Sequence, residues 1–279
     1  MEFKKHIKPI ITLFIMISAQ TILNNSDVIM LGVLKGDFEV GIYSTAVKVS
    51  NLICTAANSV IWVIMPRLAI SFESGNYEEI NKILKKILGI MLLLALPCAI
   101  GCMCLSEEIV IIMAGKEYVE ATQSLRILMI SFVFTLLGEC FLGNMILLPS
   151  KKDNLYMKIC CCATVINVIL NAFLIRVGGA VAAASTTAIS TFIMLLLLIQ
   201  AKDKKIKLKE CIRESIKAPI VGCIFIIVYC FGVKLIKINL ILQTIISIIG
   251  SICIYFGISI ILKNAICIEM INALKKKFK

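Results

Sequence analysis

Histidine is almost missing from this chain, which has a single one, His6, in 279 residues. Without it no Cys and His cluster with metal-ligand spacing remains. Nor does any stretch supply a nucleophile beside a base, or a glycine-rich phosphate loop ending in Lys and Ser/Thr. The sequence therefore points to no enzyme, no cofactor and no bound metal.

Charge is scarce too, at 16% of residues against 60% apolar, and the mean hydropathy is +0.99. That balance excludes a soluble domain with a mixed surface. Acidic residues number 17 against 29 basic ones, for a net charge of +12. The basic residues lie in short clusters between apolar runs and form neither one patch nor an RNA-binding motif, so membrane topology explains the excess and nucleic acid does not. Thirteen cysteines would frame a disulfide scaffold in a small secreted protein, yet most of these, Cys160, Cys161 and Cys162 among them, sit inside apolar runs. They read as small packing residues.

What is abundant is apolar runs of about 20 residues with short polar breaks, the length of spanning helices rather than of barrel strands. The fold class is all-α and polytopic, with about eight transmembrane helices. The leader MEFKKHIK looks like a secretory signal, but its apolar run continues from Pro9 to Leu34, too long for a cleaved segment. Further spans are expected over Val40 to Ile64, Ile83 to Leu105, Leu125 to Leu148, Leu155 to Ile175, Gly179 to Ile199, Ala218 to Leu235 and Leu240 to Leu262. Pro66 should end the second. SFESGNYEEINKILKK reads as a loop and surface helix, and SEEIVIIMAGKEYVEATQSLR as an interfacial segment. GGAVAAAS, opening the sixth span, permits close helix contact. With these spans, 22 of the 29 Lys and Arg fall on the side of the termini and 6 on the other, which sets both termini in the cytoplasm.

Polar residues inside the runs mark the candidate site. Ser44, Lys48, Asn51, Thr55, Asn58 and Trp62 step by four and three along one helical face, and Gln20, Asn24 and Asp27 do the same on the preceding span. Lipid cannot satisfy such rows, and a central Lys or Asp costs about 2.5–3.5 kcal/mol on insertion scales. The rows therefore face protein or water, and a transport cavity lined by Lys48, Asp27, Asn24, Gln20, Ser44, Asn51, Thr55 and Asn58 is the functional reading. Lys48 and Asp27 lie about 12 and 10 Å inside their spans, so an ion pair between them, or a lysine reaching outward, stays open beside it. Ser131, Thr135 and Glu139 form another row; Glu139 is either a coupling carboxylate or a neutral acid bonded to a neighbouring helix. Thr164, Asn167 and Asn171 either line the cavity or make interhelical hydrogen bonds. Glu107, Glu108, Glu117 and Glu120 read as a solvated outer face.

Four stretches carry a family resemblance: SDVIMLG…EVGIYSTAVK, MPRLAISFESGN, AGKEYVEATQSLRIL, and MILLPSKKDNLYMK…NVILNAFLI…GGAVAAAS, which together cover about residues 9 to 200. They resemble the C-terminal half of polysaccharide or O-antigen flippases of the multidrug/oligosaccharidyl-lipid/polysaccharide exporter superfamily. The resemblance implies two six-helix bundles, of which residues 1–200 would supply the second, with residues 201–279 adding a basic loop, two extra spans and a basic tail. It implies a lipid-linked oligosaccharide as substrate in the cytoplasmic membrane, and membrane lipids, a separate N-terminal half or polysaccharide assembly proteins as partners. Lys48 falls where relatives often carry a cation facing the cavity, which suits a diphosphate. A peptidoglycan lipid-precursor flippase, a multidrug exporter of the same fold and a nonfunctional truncated fragment are alternatives. A membrane-bound glycan polymerase or acyltransferase is the alternative from another class.

Overall fold

Inside a bilayer no water meets the backbone, so each apolar run satisfies its own N–H and C=O groups by coiling into a helix. The computed structural model describes residues 3–236 and 238–277, with side chains at all of them except 3–6, 8, 9, 56–64, 214 and 273–277. The side chains of His6, Asn58 and Trp62 thus lie outside the described residues. Among the described residues there are helices and no strand.

The helices are α1 (Phe3–Lys35), α2 (Asp37–Glu73), α3 (Tyr77–Cys104), α4 (Ser106–Ala114), α5 (Ala121–Thr135), α6 (Asp153–Ala201), α7 (Leu208–Ser215), α8 (Lys217–Lys234), α9 (Leu240–Ile261) and α10 (Ala265–Lys277). A 3₁₀ turn, Lys116–Tyr118, precedes α5, and a π-helix, Leu136–Leu147, continues it. Among the described residues six elements are long and apolar enough to cross a membrane: α1 from Ile10, α3, α5 with its π continuation, α6, α8 and α9. The eight expected spans fall on these and on α2, because α6 is two arms that meet at Gly179 (φ 53, ψ −136). The arms fold back on each other, since Thr186 hydrogen-bonds Asn171 across the bend. Ala180, Ala183 and Ala184 are buried, as close contact of small residues requires.

Gly36 alone links α1 to α2 (φ 90), its N–H donating to Leu31 O at 3.2 Å. A left-handed φ is open to glycine without steric cost, which permits so tight a turn. α1 packs along α6, which also meets α5, while α2 lies against α5, α3 and α1. One apolar core runs through α1 to α7. A smaller one, with Leu93, Leu105, Ile226 and Tyr255, fastens α8 and α9 to α3. Within that pair Tyr255 closes on Gly222 and Tyr229 on Gly250, where a Cβ would fall 2.5 Å from the Tyr255 ring and 2.0 Å from the Tyr229 hydroxyl. No disulfide forms among the described residues; Cys140, Cys160, Cys211, Cys223, Cys230 and Cys267 are buried packing residues.

Two local expectations are corrected. Pro66 does not end the second span, because α2 continues to Glu73. Leu68 and Ser71 beyond it are buried, and that packing offsets the roughly 3 kcal/mol a helix-interior proline costs. The loop and surface helix expected before the third span are instead a short turn and the start of α3 itself. The Asn76 side chain caps that start, accepting from Glu79 N–H at 3.1 Å.

Candidate functional site

The polar residues of the spans separate into a buried network and an outer row. Asp27, 1% exposed, lies on the face of α1 turned toward α6. Its carboxylate accepts from the Tyr43 hydroxyl at 2.6 Å, the Thr187 hydroxyl at 2.5 Å and the Asn171 amide at 2.5 Å. Asn171 also donates to Asn167 Oδ1 at 3.0 Å and accepts from Thr186, while Ser26 donates to Asn167 Oδ1 at 3.1 Å. Three donors to one carboxylate offset the cost of taking it out of water. The network joins α1, α2 and both arms of α6, and locks the two helical hairpins together. Oxygens of Asp27, Asn167, Asn171, Thr186 and Thr187 converge there, a donor set suited to a hard cation; in this structure they are engaged with one another. Among the described residues no group of three His, Cys, Asp or Glu forms a metal site.

Lys48 belongs to the outer row. It is exposed, as are Asn24, Asn51 and Thr55, with Ser44 half-buried. Thr55 donates to Asn51 O at 2.8 Å. Lys48 makes no ion pair or hydrogen bond among the described residues, so the Asp27–Lys48 pairing is not the arrangement found. Depth explains this. Residues at equal distance from the Gly36 turn are level, and the partner level with Asp27 is near Tyr43, whereas Lys48 is level with Asn24. At 1.5 Å per residue these two sit about 18 Å from the turn. The second span begins at Asp37 rather than Val40, which places Lys48 about one helical turn deeper than its sequence suggested.

Gln20, half-buried, donates to the Tyr156 hydroxyl at 3.0 Å, which donates to Asn144 Oδ1 at 3.2 Å. Thr164 donates to Ala19 O at 2.9 Å, and Ser131 shares a 3.0 Å hydrogen bond with Thr191. Thr164, Asn167 and Asn171 thus make interhelical hydrogen bonds. Glu139 is half-buried in the π-helix, within electrostatic reach of Cys54, Tyr156 and Cys160. Because bonds run i to i+5 there, the row begun by Ser131 and Thr135 loses its register before Glu139. No hydrogen bond or ion pair to its carboxyl group is found among the described residues.

The acidic outer face needs a further correction. Glu107, Glu117 and Glu120 are exposed, but Glu108 is buried and pairs with Lys234 of α8 at 2.7 Å. Three partners in the buried network had no signal in the spacing of single runs: Tyr43, Thr186 and Thr187. Counting outward from the two glycine turns would have found them, since Asn171 and Thr187 both stand eight residues from Gly179. At the same bend Glu39, from the first turn of α2, accepts from Ala180 N–H at 2.8 Å and caps the second arm of α6.

This geometry can be set beside known proteins. The capsular polysaccharide biosynthesis protein CapF of Staphylococcus aureus is 30% identical over 125 residues, 45% of this chain and 31% of its own length. The probable low-salt glycan biosynthesis flippase Agl15 of Haloferax volcanii is 25% identical over 159 residues, 56% of this chain and 32% of its own. The chain thus spans about a third of these curated relatives. Among solved structures, the inward closed conformation of the lipid II flippase MurJ superposes with a TM-score of 0.69 at 15% identity, covering 92% of this chain and 53% of that one. Residues 12–173, more than half of the sequence, match the MatE family, and the chain belongs to that family.

Proposed function

We propose that the chain is one lobe of a flippase that carries an undecaprenyl-diphosphate-linked oligosaccharide across the cytoplasmic membrane for polysaccharide assembly. One observation carries this reading: Asn24, Lys48, Asn51 and Thr55 stand exposed on the α1–α2 hairpin, about 18 Å or more along the helices from its turn. Acyl chains cannot satisfy that row, so it needs water or a second lobe against it. A fixed ammonium in a low-dielectric wall attracts a diphosphate. The names of the glycan-assembly relatives and the MatE match support the same substrate class.

In this reading residues 1–200 form the six-helix bundle, and residues 201–279 supply the basic loop, the added helix pair and the basic tail. A second lobe faces the exposed row, and the two rock about the site to open it alternately to each side. Both termini face the cytoplasm, in keeping with the bias of Lys and Arg. Glu139 is the candidate for coupling, as a carboxyl group without a partner among the described residues. Transport of this kind needs no covalent step.

The test is made in the producing cell. On inactivation of the chain, lipid-linked oligosaccharide should accumulate in the cytoplasmic leaflet, out of reach of an added lectin until the membrane is permeabilised. An unchanged distribution of that lipid, with peptidoglycan precursor retained instead, would reassign the lobe to a lipid II type of substrate; no change in either lipid would overturn the flippase reading.

A further inference from the structure

At the lysine-rich end of the bundle α3, α7, α8, α9 and α10 meet around a groove of about 1030 Å³, with Lys85, Arg213, Lys217 and Lys263 in its walls and no acidic side chain among the described lining residues. Arg213, Lys217 and Lys263 are exposed and form no ion pair among the described residues. The described acids of α7 and α10 are engaged elsewhere, Glu210 with Lys207 at 3.5 Å and Glu269 with Lys86. No side chain caps the first turn of α8, which opens beside the groove, so the positive end of that helix dipole adds to the field.

Ser215 lines the groove at 3% exposure, its hydroxyl oxygen buried and without a hydrogen-bond partner among the described residues. Two further observations narrow the ligand. The groove also lies where α8 begins its span at Lys217 and α9 ends its own at Ile261, which is the level of lipid headgroups. Ile220 in its wall starts a ridge that continues through Ile224 and Val228, spaced by four and exposed at 47, 54 and 66%. A soluble anion would have no use for that ridge, whereas an acyl chain lies along it.

We propose that this groove binds the phosphate headgroup of an anionic phospholipid, with one acyl chain along Ile220, Ile224 and Val228. Arg213 offers a planar fork to the phosphate, and Lys217 and Lys263 supply point charges on either side. The lipid would brace the α8–α9 pair, which otherwise meets the bundle chiefly through α3. This assignment stands apart from the transport reading.

The test measures retention of phosphatidylglycerol by the purified full chain in neutral detergent, by native mass spectrometry, with phosphatidylcholine as the reference lipid. Replacing Arg213, Lys217 and Lys263 together by Gln should weaken phosphatidylglycerol binding roughly 100-fold, from about one kcal/mol per basic residue near a lipid surface. Removing three charges elsewhere, at Lys158, Lys204 and Lys209, should leave it unchanged, as should the charge-keeping pair Lys217→Arg and Lys263→Arg. Equal losses in both Gln triples would overturn the site in favour of a diffuse surface potential. Full displacement of the lipid by millimolar inorganic phosphate would overturn the lipid in favour of a soluble anion.

Discussion

Asp27→Ala takes away a carboxylate that three donors share, the hydroxyls of Tyr43 at 2.6 Å and Thr187 at 2.5 Å and the Asn171 amide at 2.5 Å. Interhelical hydrogen bonds in membrane proteins are worth about 0.6 kcal/mol on average and up to about 1.7. Bonds to a charged acceptor belong at the upper end, so three of them give a loss of about 2–5 kcal/mol. Tyr43→Phe, which removes one donor and keeps the ring, should cost about 1–1.5 kcal/mol. The assay is reversible unfolding of the purified chain in mixed micelles by a denaturing detergent, followed by circular dichroism. A double-mutant cycle then separates partners: Asp27 and Tyr43 should couple by about 1 kcal/mol or more, while Asp27 and Lys48 should add within about 0.5. Coupling of Asp27 to Lys48 with none to Tyr43 would refute the network and restore the ion pair.

Two more substitutions probe the joints between elements in the same unfolding assay. Lys234→Ala strands Glu108 in the packed interior, whereas Glu108→Ala leaves a lysine that is 31% exposed and can turn to water; the first should cost up to about 3 kcal/mol and clearly more than the second. Equal losses would mean that Glu108 reaches solvent. Gly179→Ala forces a Cβ to within 2.5 Å of Glu39 Oε2 at a left-handed φ, a loss of about 1–3 kcal/mol. Glu39→Ala removes only the cap, about 1 kcal/mol, and a larger loss there than at Gly179 would contradict the tight bend.

Span positions are legible in this sequence because a bilayer demands about 20 apolar residues in a row, and the runs supply them from α1 to α9. Span ends are less so. Pro66 reads as a stop, yet the burial of Leu68 and Ser71 is a tertiary fact that no local rule contains. The polar rows were visible by their spacing, but azimuth along one helix does not say which neighbour it meets. Asp27 and Lys48 belong to adjacent rows, and only the one-residue turn at Gly36 decides that Tyr43, not Lys48, stands opposite the carboxylate. The π-helix around Glu139 leaves no mark in residue type, so its shift of register could not be read. Glu108 stood among three solvated acids, and its burial depends on Lys234, distant in sequence and brought near by the docking of α8.

The central claim is that the exposed lysine of the α1–α2 hairpin faces a substrate path, and the most direct measurement is lipid-linked oligosaccharide export in the producing cell carrying Lys48→Ala, with Lys48→Arg beside it and membrane abundance followed for both. The account predicts that the alanine variant loses export at unchanged abundance and that the arginine variant, which keeps the charge, retains most of it. Normal export with Lys48→Ala would contradict the claim.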